Sequence, residues 1–221
     1  MQGINRLFVK VPMTFPTTDQ TSTISSDIIS LKNYNHADLY ITVGSIGKAA
    51  AVTLDKSAAV AAATVECAFT KFLSSGCILK YTSPSVSTIA VKDETIAGAG
   101  GAAATLFKDT GSELIMHSWD GDTFVTGETV TLSGGKTVVA DGIQINEDIM
   151  VPRTASSNTF NLEAVASRQY IIPLDAIDLG EDYDCVEVEI ASCSTATHLS
   201  IDAILSEPRY IGDVPETAIY D

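Results

Sequence analysis

The sequence predicts an all-β fold: an antiparallel β-sandwich of jelly-roll type, with a small inserted β subdomain and an extended N-terminal arm. Two observations lead there. Within residues 182–210, Val186, Val188 and Ile190 alternate with Glu187 and Glu189, and Leu199, Ile201, Ala203 and Leu205 alternate with Ser200, Asp202 and Ile204. Period two is the strand period, and each run has one apolar and one largely polar face. Joined by Ser192 to His198, the two runs are expected to pair as an antiparallel hairpin covering a core on one side. The second observation is that no heptad, solenoid repeat or long amphipathic helix occurs anywhere in the chain.

Taken in order, residues 1–27 open with a short apolar run, Leu7 to Val11, and pass into a Pro-, Thr- and Ser-rich segment without period, read as the extended arm. Leu39, Ile41 and Val43 then alternate with Tyr40 and Thr42 behind an Asn-Tyr-Asn-His turn, and predict a strand ending at Gly44. Ala50 to Leu54 predicts a weaker strand. Lys56 to Leu73 mixes Ala, the best helix former, with the alternating Val65, Cys67 and Phe69. A loop or short helical turn to Ala63 and a strand from Thr64 to Phe72 are expected, with one helix over the whole stretch as the alternative.

Composition changes at Ser74. Gly-rich turns (AGAGGAAAT, DGD, SGG, ADG) separate short β-rich runs at Glu113 to His117, Thr123 to Val125, Thr129 to Leu132 and Lys136 to Val139, and the clearest hairpin turns at Ser133-Gly134-Gly135. Residues 74–157 are therefore expected to form a β subdomain inserted into a surface loop. Residues 28–73 and 158–210 make the discontinuous parent sandwich. It resumes with strands at Thr159 to Leu162 and Tyr170 to Leu174, where Pro173 marks an edge or a kink. The acidic tail 211–221 has no period and is expected to be exposed or to lie along a neighbour.

At 221 residues with 45% hydrophobic content the chain is long enough to bury a core. Its 28 acidic residues against 13 basic give a net charge of -15. Lys and Arg stand singly, so nucleic acid and anionic membrane are both disfavoured as partners, and a locally positive protein surface is favoured. No apolar run of membrane-spanning length occurs, and MQGINRLFVKVP lacks the features of a secretion signal, so export is not expected. Cys67, Cys77, Cys185 and Cys193 fit no zinc, redox or haem spacing and are expected as free thiols.

The chain carries no HExxH, GxSxG or Walker motif. His36, His117 and His198 lie far apart, and the glycine run at 97–105 lacks the Lys-Ser/Thr of a phosphate loop. No catalytic residue, cofactor or metal site is assigned. Asp120 with Asp122, and Glu181 with Asp182 and Asp184, are acidic clusters of the kind that ligate Ca²⁺, but both also fit plain turn chemistry. Trp119 belongs either to a sugar-binding face or to the subdomain core.

The two flanks carry a resemblance. DIISLKNYNHADLYITVG, VTLDKSAAV, AFTKF, YIIPLDAIDLGEDYDCVEVEIAS and IDAILSEPRY resemble a group of small structural proteins of tailed bacteriophages encoded among the head genes. In these an S-x-K-N-Y-x-H-A opening, an L-D and Y-D-C-V centre and an A-I-L-S-x-x-R-Y close recur. The resemblance covers about 28–73 and 158–210. It implies a non-enzymatic virion component, assembled in the host cytoplasm: a capsid decoration or cement protein on the outer surface of the head shell, whose partners are the major capsid protein and itself, as a homotrimer. A head–tail connector or tail adaptor is the alternative from the same particle; a carbohydrate-binding or depolymerising module is the alternative from another class. For partner binding the arm offers Arg6, Leu7, Phe8, Val9, Lys10 and Val11, as a strand able to add to an exposed sheet edge.

Overall fold

The computed structural model describes residues 8–14, 20–82, 91–120, 122, 124–193, 196–209 and 219–220, with side chains for all of these except 143–148 and 219–220. In chain order the strands are β1 (Phe8–Thr14), β2 (Ile24–Ser25), β3 (Ile28–Ser30), β4 (Tyr34–Ser45), β5 (Ala50–Ser57) and β6 (Val65–Glu66). β7 (Lys71–Thr82), β8 (Thr95–Ala97), β9 (Ala103–Asp109), β10 (Glu113–His117), β11 (Thr129–Leu132) and β12 (Thr137–Thr154) follow. β13 (Phe160–Leu162), β14 (Arg168–Asp175), β15 (Cys185–Ile190), β16 (His198–Pro208) and β17 (Ile219–Tyr220) complete the set, with one 3-10 turn, Ala176–Leu179, after β14. The all-β class is as the sequence predicts. The chain divides into two compact units, Met1–Phe72 with Arg153–Leu162 and Gln169–Asp221, and Leu73–Pro152 with Glu163–Arg168.

The first unit is the sandwich. One sheet runs β1-β16-β4-β14, and the other runs β13-β5-β15-β3-β17, with β2 on β15 and β6 on β5. In the first sheet Leu199, Ile201, Ala203 and Leu205 stand opposite Val43, Ile41, Leu39 and Ala37, and all eight are buried. The core is closed from the other sheet by Ile29, Val52, Leu54, Val186, Val188 and Ile190. Phe72 stacks on Phe160 at 4.0 Å between ring centroids, and Tyr170 lies 5.5 Å from Phe160.

The expected hairpin of residues 182–210 does not form: both strands exist, but β15 pairs with β5, β3 and β2 while β16 pairs with β1 and β4. The link between them crosses from one sheet to the other. Alternation fixes which face of a strand is buried and not which strand lies beside it, so two strands facing each other across a core read like a hairpin. The long link also lacks the two-residue turn chemistry that enforces pairing.

Four further expectations are corrected. The described residues of the arm are built into the unit: β1 lies antiparallel to β16, Val11 and Met13 are buried, and Ile24 and Ser25 pair with β15. Val9, Val11 and Met13 form a period-two series that Pro12 and the Thr-rich sequence after it obscure. The strand expected over 64–72 is only Val65–Glu66 and the start of β7, with Cys67 and Phe69 buried in the extended chain between and no helix in the preceding Ala-rich loop. Tyr34 and His36 belong to β4, so the turn before it falls at Lys32 and Asn33. In the tail, Ile219 and Tyr220 pair with Ile29 and Ile28 of β3.

The second unit is a closed barrel, β7-β10-β9-β8-β11-β12, with β12 returning to pair with β7. Closure leaves no free sheet edge, which is how a small β unit with many glycines avoids edge pairing. The strands predicted at Glu113–His117 and Thr129–Leu132 and the turn at Ser133 to Gly135 stand as expected. Phe124 and Val125 lie in no strand, and position 123 is outside the described residues. Leu79, Ile96, Leu106, Leu114, Met116 and Val130 fill the interior. Arg168 is also buried there, its guanidinium 5.3 Å from the Trp119 ring and its Nε 3.6 Å from Glu163 Oε2.

A candidate docking cleft

In the first unit, the ends of β3, β14 and β16 surround a cleft of about 780 Å³. Its floor is Leu31, fully buried, whose N–H donates to Asp184 O at 2.7 Å. One wall is the 3-10 turn Ala176–Leu179. Asp175 enters it in an extended conformation and donates its N–H to Asp178 Oδ2 at 3.3 Å, and Gly180 leaves it at φ 89, a left-handed value that favours glycine. Lys56 Nζ donates to Leu179 O at 2.7 Å and lies 4.7 Å from the Tyr183 ring centroid, so the turn is held at its C-terminal end as well. Ala176 and Leu179 are buried, whereas Ile177 is 85% exposed.

The cleft is also lined by Lys32, by Asn35 of β4 and by Glu207 and Arg209 at the end of β16. Arg209 donates its N–H to Asn33 O at 2.9 Å and its Nε to Asn35 Oδ1 at 3.1 Å. Glu207 stands at φ 55, between Ser206, which pairs with His36, and Pro208, which pairs with Tyr34. A non-glycine residue with positive φ is uncommon in a strand.

Beside the cleft, His36 bridges two carboxylates. Its Nδ1 lies 2.7 Å from Asp175 Oδ1 and its Nε2 3.2 Å from Asp38 Oδ1. A neutral imidazole carries one N–H, so two carboxylate partners are both satisfied only by the imidazolium. Burial alone would lower the His36 pKa, but the hydrogen bonds to Asp175 and Asp38 and their charges outweigh it, and the pKa is raised. Neither partnership of His36 was expected from the sequence: the two-residue spacing of His36 and Asp38 on one face of β4 is a signal for the first, and nothing local signals Asp175, 139 residues away.

Of the arm residues expected to bind a partner, Arg6 and Leu7 lie outside the described residues. Phe8 is 62% exposed, Val9 is half-buried, and exposed Lys10 pairs with Asp202 at 3.2 Å. Val11 is buried in the unit's own core. None of Phe8, Val9, Lys10 and Val11 lines the cleft.

The other residues singled out in the sequence serve local structure. Asp120 accepts from Ala103 N–H at 2.8 Å and Asp122 N–H at 3.0 Å, one on each carboxylate oxygen. Trp119 is buried and donates to Asp122 O at 2.6 Å, so it belongs to the barrel core and not to a sugar-binding face. Residues 98–102 form the tip between β8 and β9, with Gly98 N–H donating to Ala102 O. His117 meets Ser118 and His198 meets Ser45, each at 3.0 Å. Among the described residues no three His, Cys, Asp or Glu side chains gather as a metal site would require. The four cysteines are buried without disulfides. Burial pushes the thiols of Cys67 and Cys77 up to about 11 and that of Cys185 to about 12, which leaves them protonated and unreactive at neutral pH.

No family model and no curated protein matches the chain. Among solved structures it is similar to the infectious bursal disease virus VP2 subviral particle, at 8% identity and a TM-score of 0.21, over 93% of this chain and 81% of that one. A second structure, of T=1 particles derived from infectious bursal virus, gives 9% identity and a TM-score of 0.18, over 91% and 78%. Scores this low do not establish a shared fold.

Proposed function

We propose that this protein is a non-enzymatic structural component of a tailed-bacteriophage virion, a decoration or cement protein that binds the outer surface of the head shell as a homotrimer. The observation that carries the reading is convergence. The segments that resemble phage head-gene proteins lie far apart in the chain, yet Lys32 and Asn35 from the opening motif, Asp175 and Asp184 from the centre and Arg209 from the close line one surface cleft. Core packing explains their apolar neighbours, such as Leu31 and Val186, and it leaves these polar side chains lining one open cleft, as a binding surface would. A net charge of -15 suits docking on a locally positive shell. Trimerisation would turn weak single contacts into avid attachment at threefold positions.

The test is co-sedimentation with expanded capsids lacking decoration, together with native mass. Saturable binding by a trimer is expected. Failure to bind such capsids would remove this reading, and a ring-shaped oligomer of higher order would favour the head–tail connector.

A further inference from the structure

The charged groups of the cleft are unequally engaged. Asp175 is held by His36, Asp184 accepts from the Cys185 thiol at 3.0 Å, and Arg209 is held by Asn35. That leaves Lys32 Nζ, Glu181 and Glu207, whose side chains have no partner among the described residues. Two unengaged carboxylates and one ammonium, set in a concavity of about 780 Å³, ask for an occupant with a cation and a nearby acceptor. Phosphate-bearing ligands supply the acceptor but bring the wrong charge to the carboxylates. A polypeptide in extended form supplies both, a Lys or Arg side chain for the carboxylates and its own carbonyls for Lys32.

Ile177 adds an apolar anchor. It is the most exposed large apolar side chain among the described residues, and it does not sit on a loose tip. Its turn is fixed at one end by the Asp175–His36 pair and at the other by Lys56 on Leu179 O. A rigid, protruding apolar residue at the rim of a polar cleft has the features of an interface hot spot, since little side-chain or backbone freedom remains to be lost on binding.

We infer that the cleft bounded by Lys32, Ile177, Glu181 and Glu207 binds an extended basic segment of a partner polypeptide, with Lys or Arg side chains meeting Glu181 and Glu207 and an apolar residue against Ile177. This rests on the shell-binding reading only for the identity of the chain that supplies the segment.

The experiment has two arms. In the first, a short labelled peptide alternating valine and arginine and its valine–glutamate counterpart are titrated by fluorescence anisotropy against the full chain and against Glu181→Lys/Glu207→Lys and Ile177→Ser variants, with unfolding curves confirming that each variant is folded. Binding of the basic peptide alone, weakened about tenfold or more by either variant, is the expected result. Equal binding of both peptides, or a basic-peptide affinity unchanged in the variants, overturns the inference. In the second arm the same proteins are sedimented with undecorated capsids. Capsid binding by the wild type that both variants retain in full overturns the inference and keeps the shell-binding reading. Peptide binding as expected, with no capsid binding by the wild type, keeps the inference and removes that reading.

Discussion

His36 Nδ1 lies 2.7 Å from Oδ1 of Asp175, so one imidazole ties β4 to the entrance of the 3-10 turn that carries Ile177. Its folded-state pKa is raised above the ordinary 6.5. The stabilisation is therefore fully present below that value and is lost as pH rises through the raised one. Denaturant unfolding of the wild type and of His36→Gln, compared from about pH 6 to about pH 8, should show a stability gap that closes with rising pH. A gap of constant size would mean that the imidazolium contributes nothing.

On the outer face of the second sheet, Glu187 stands directly opposite Asp55, and Asp55 opposite Glu66. Partial burial and then the Asp55 charge raise the Glu187 pKa, against a hydrogen bond from Ser25 that lowers it. For a carboxylate raised in this way, ionisation costs stability at neutral pH, and the cost disappears as pH falls through the folded-state value. Glu187→Gln should thus stabilise the protein at neutral pH by a few tenths to about 1 kcal/mol, the range for like charges facing across a strand pair. The benefit should shrink in acid. Equal stability of the two proteins at neutral pH would show that solvent screens the repulsion.

Val188 is fully buried between the two sheets. Val188→Asp places a carboxylate there without a partner, at a cost of several kcal/mol against a total stability of about 5–15 kcal/mol. Circular dichroism should report an unfolded or aggregated chain. A soluble variant that unfolds cooperatively would contradict the position of β15 at the centre of the sandwich.

The barrel unit invites excision. An added Cβ on Gly76 would lie 2.9 Å from Val151, so β7 and β12 run side by side where the chain enters and leaves the unit. Joining residue 72 to residue 153 by a short Gly-Ser link, with Arg168→Ser because Arg168 is buried with Glu163 and Trp119 in the barrel unit, should leave a sandwich that unfolds in one cooperative step. Loss of cooperativity would mean that the two units depend on one core.

Strands were legible in the sequence wherever alternation was clean, as at Val186 to Ile190 and Leu199 to Leu205, because burying one face imposes period two on the residues themselves. Partner choice was not legible. The pattern of β15 is the same whether its neighbour is β16 or β5, and long-range pairing is settled by core volume and link geometry that no local window contains. β1 was hidden for a different reason: its buried residues, Val11 and Met13, flank Pro12 in a stretch whose composition reads as an arm. The cleft was the least legible feature. Lys32, Glu181 and Glu207 look like ordinary surface residues until the ends of β3, β14 and β16 meet, and Ile177 looks like a core residue until its turn directs it outward.

The shell-binding account is tested most directly by the copy number and position of this protein in purified particles, measured by quantitative mass spectrometry of the virion and imaging of the intact head. Many copies distributed over the outer surface of the head, in threefold clusters, are predicted. A single ring of copies at the tail vertex, or absence from the particle, would contradict it.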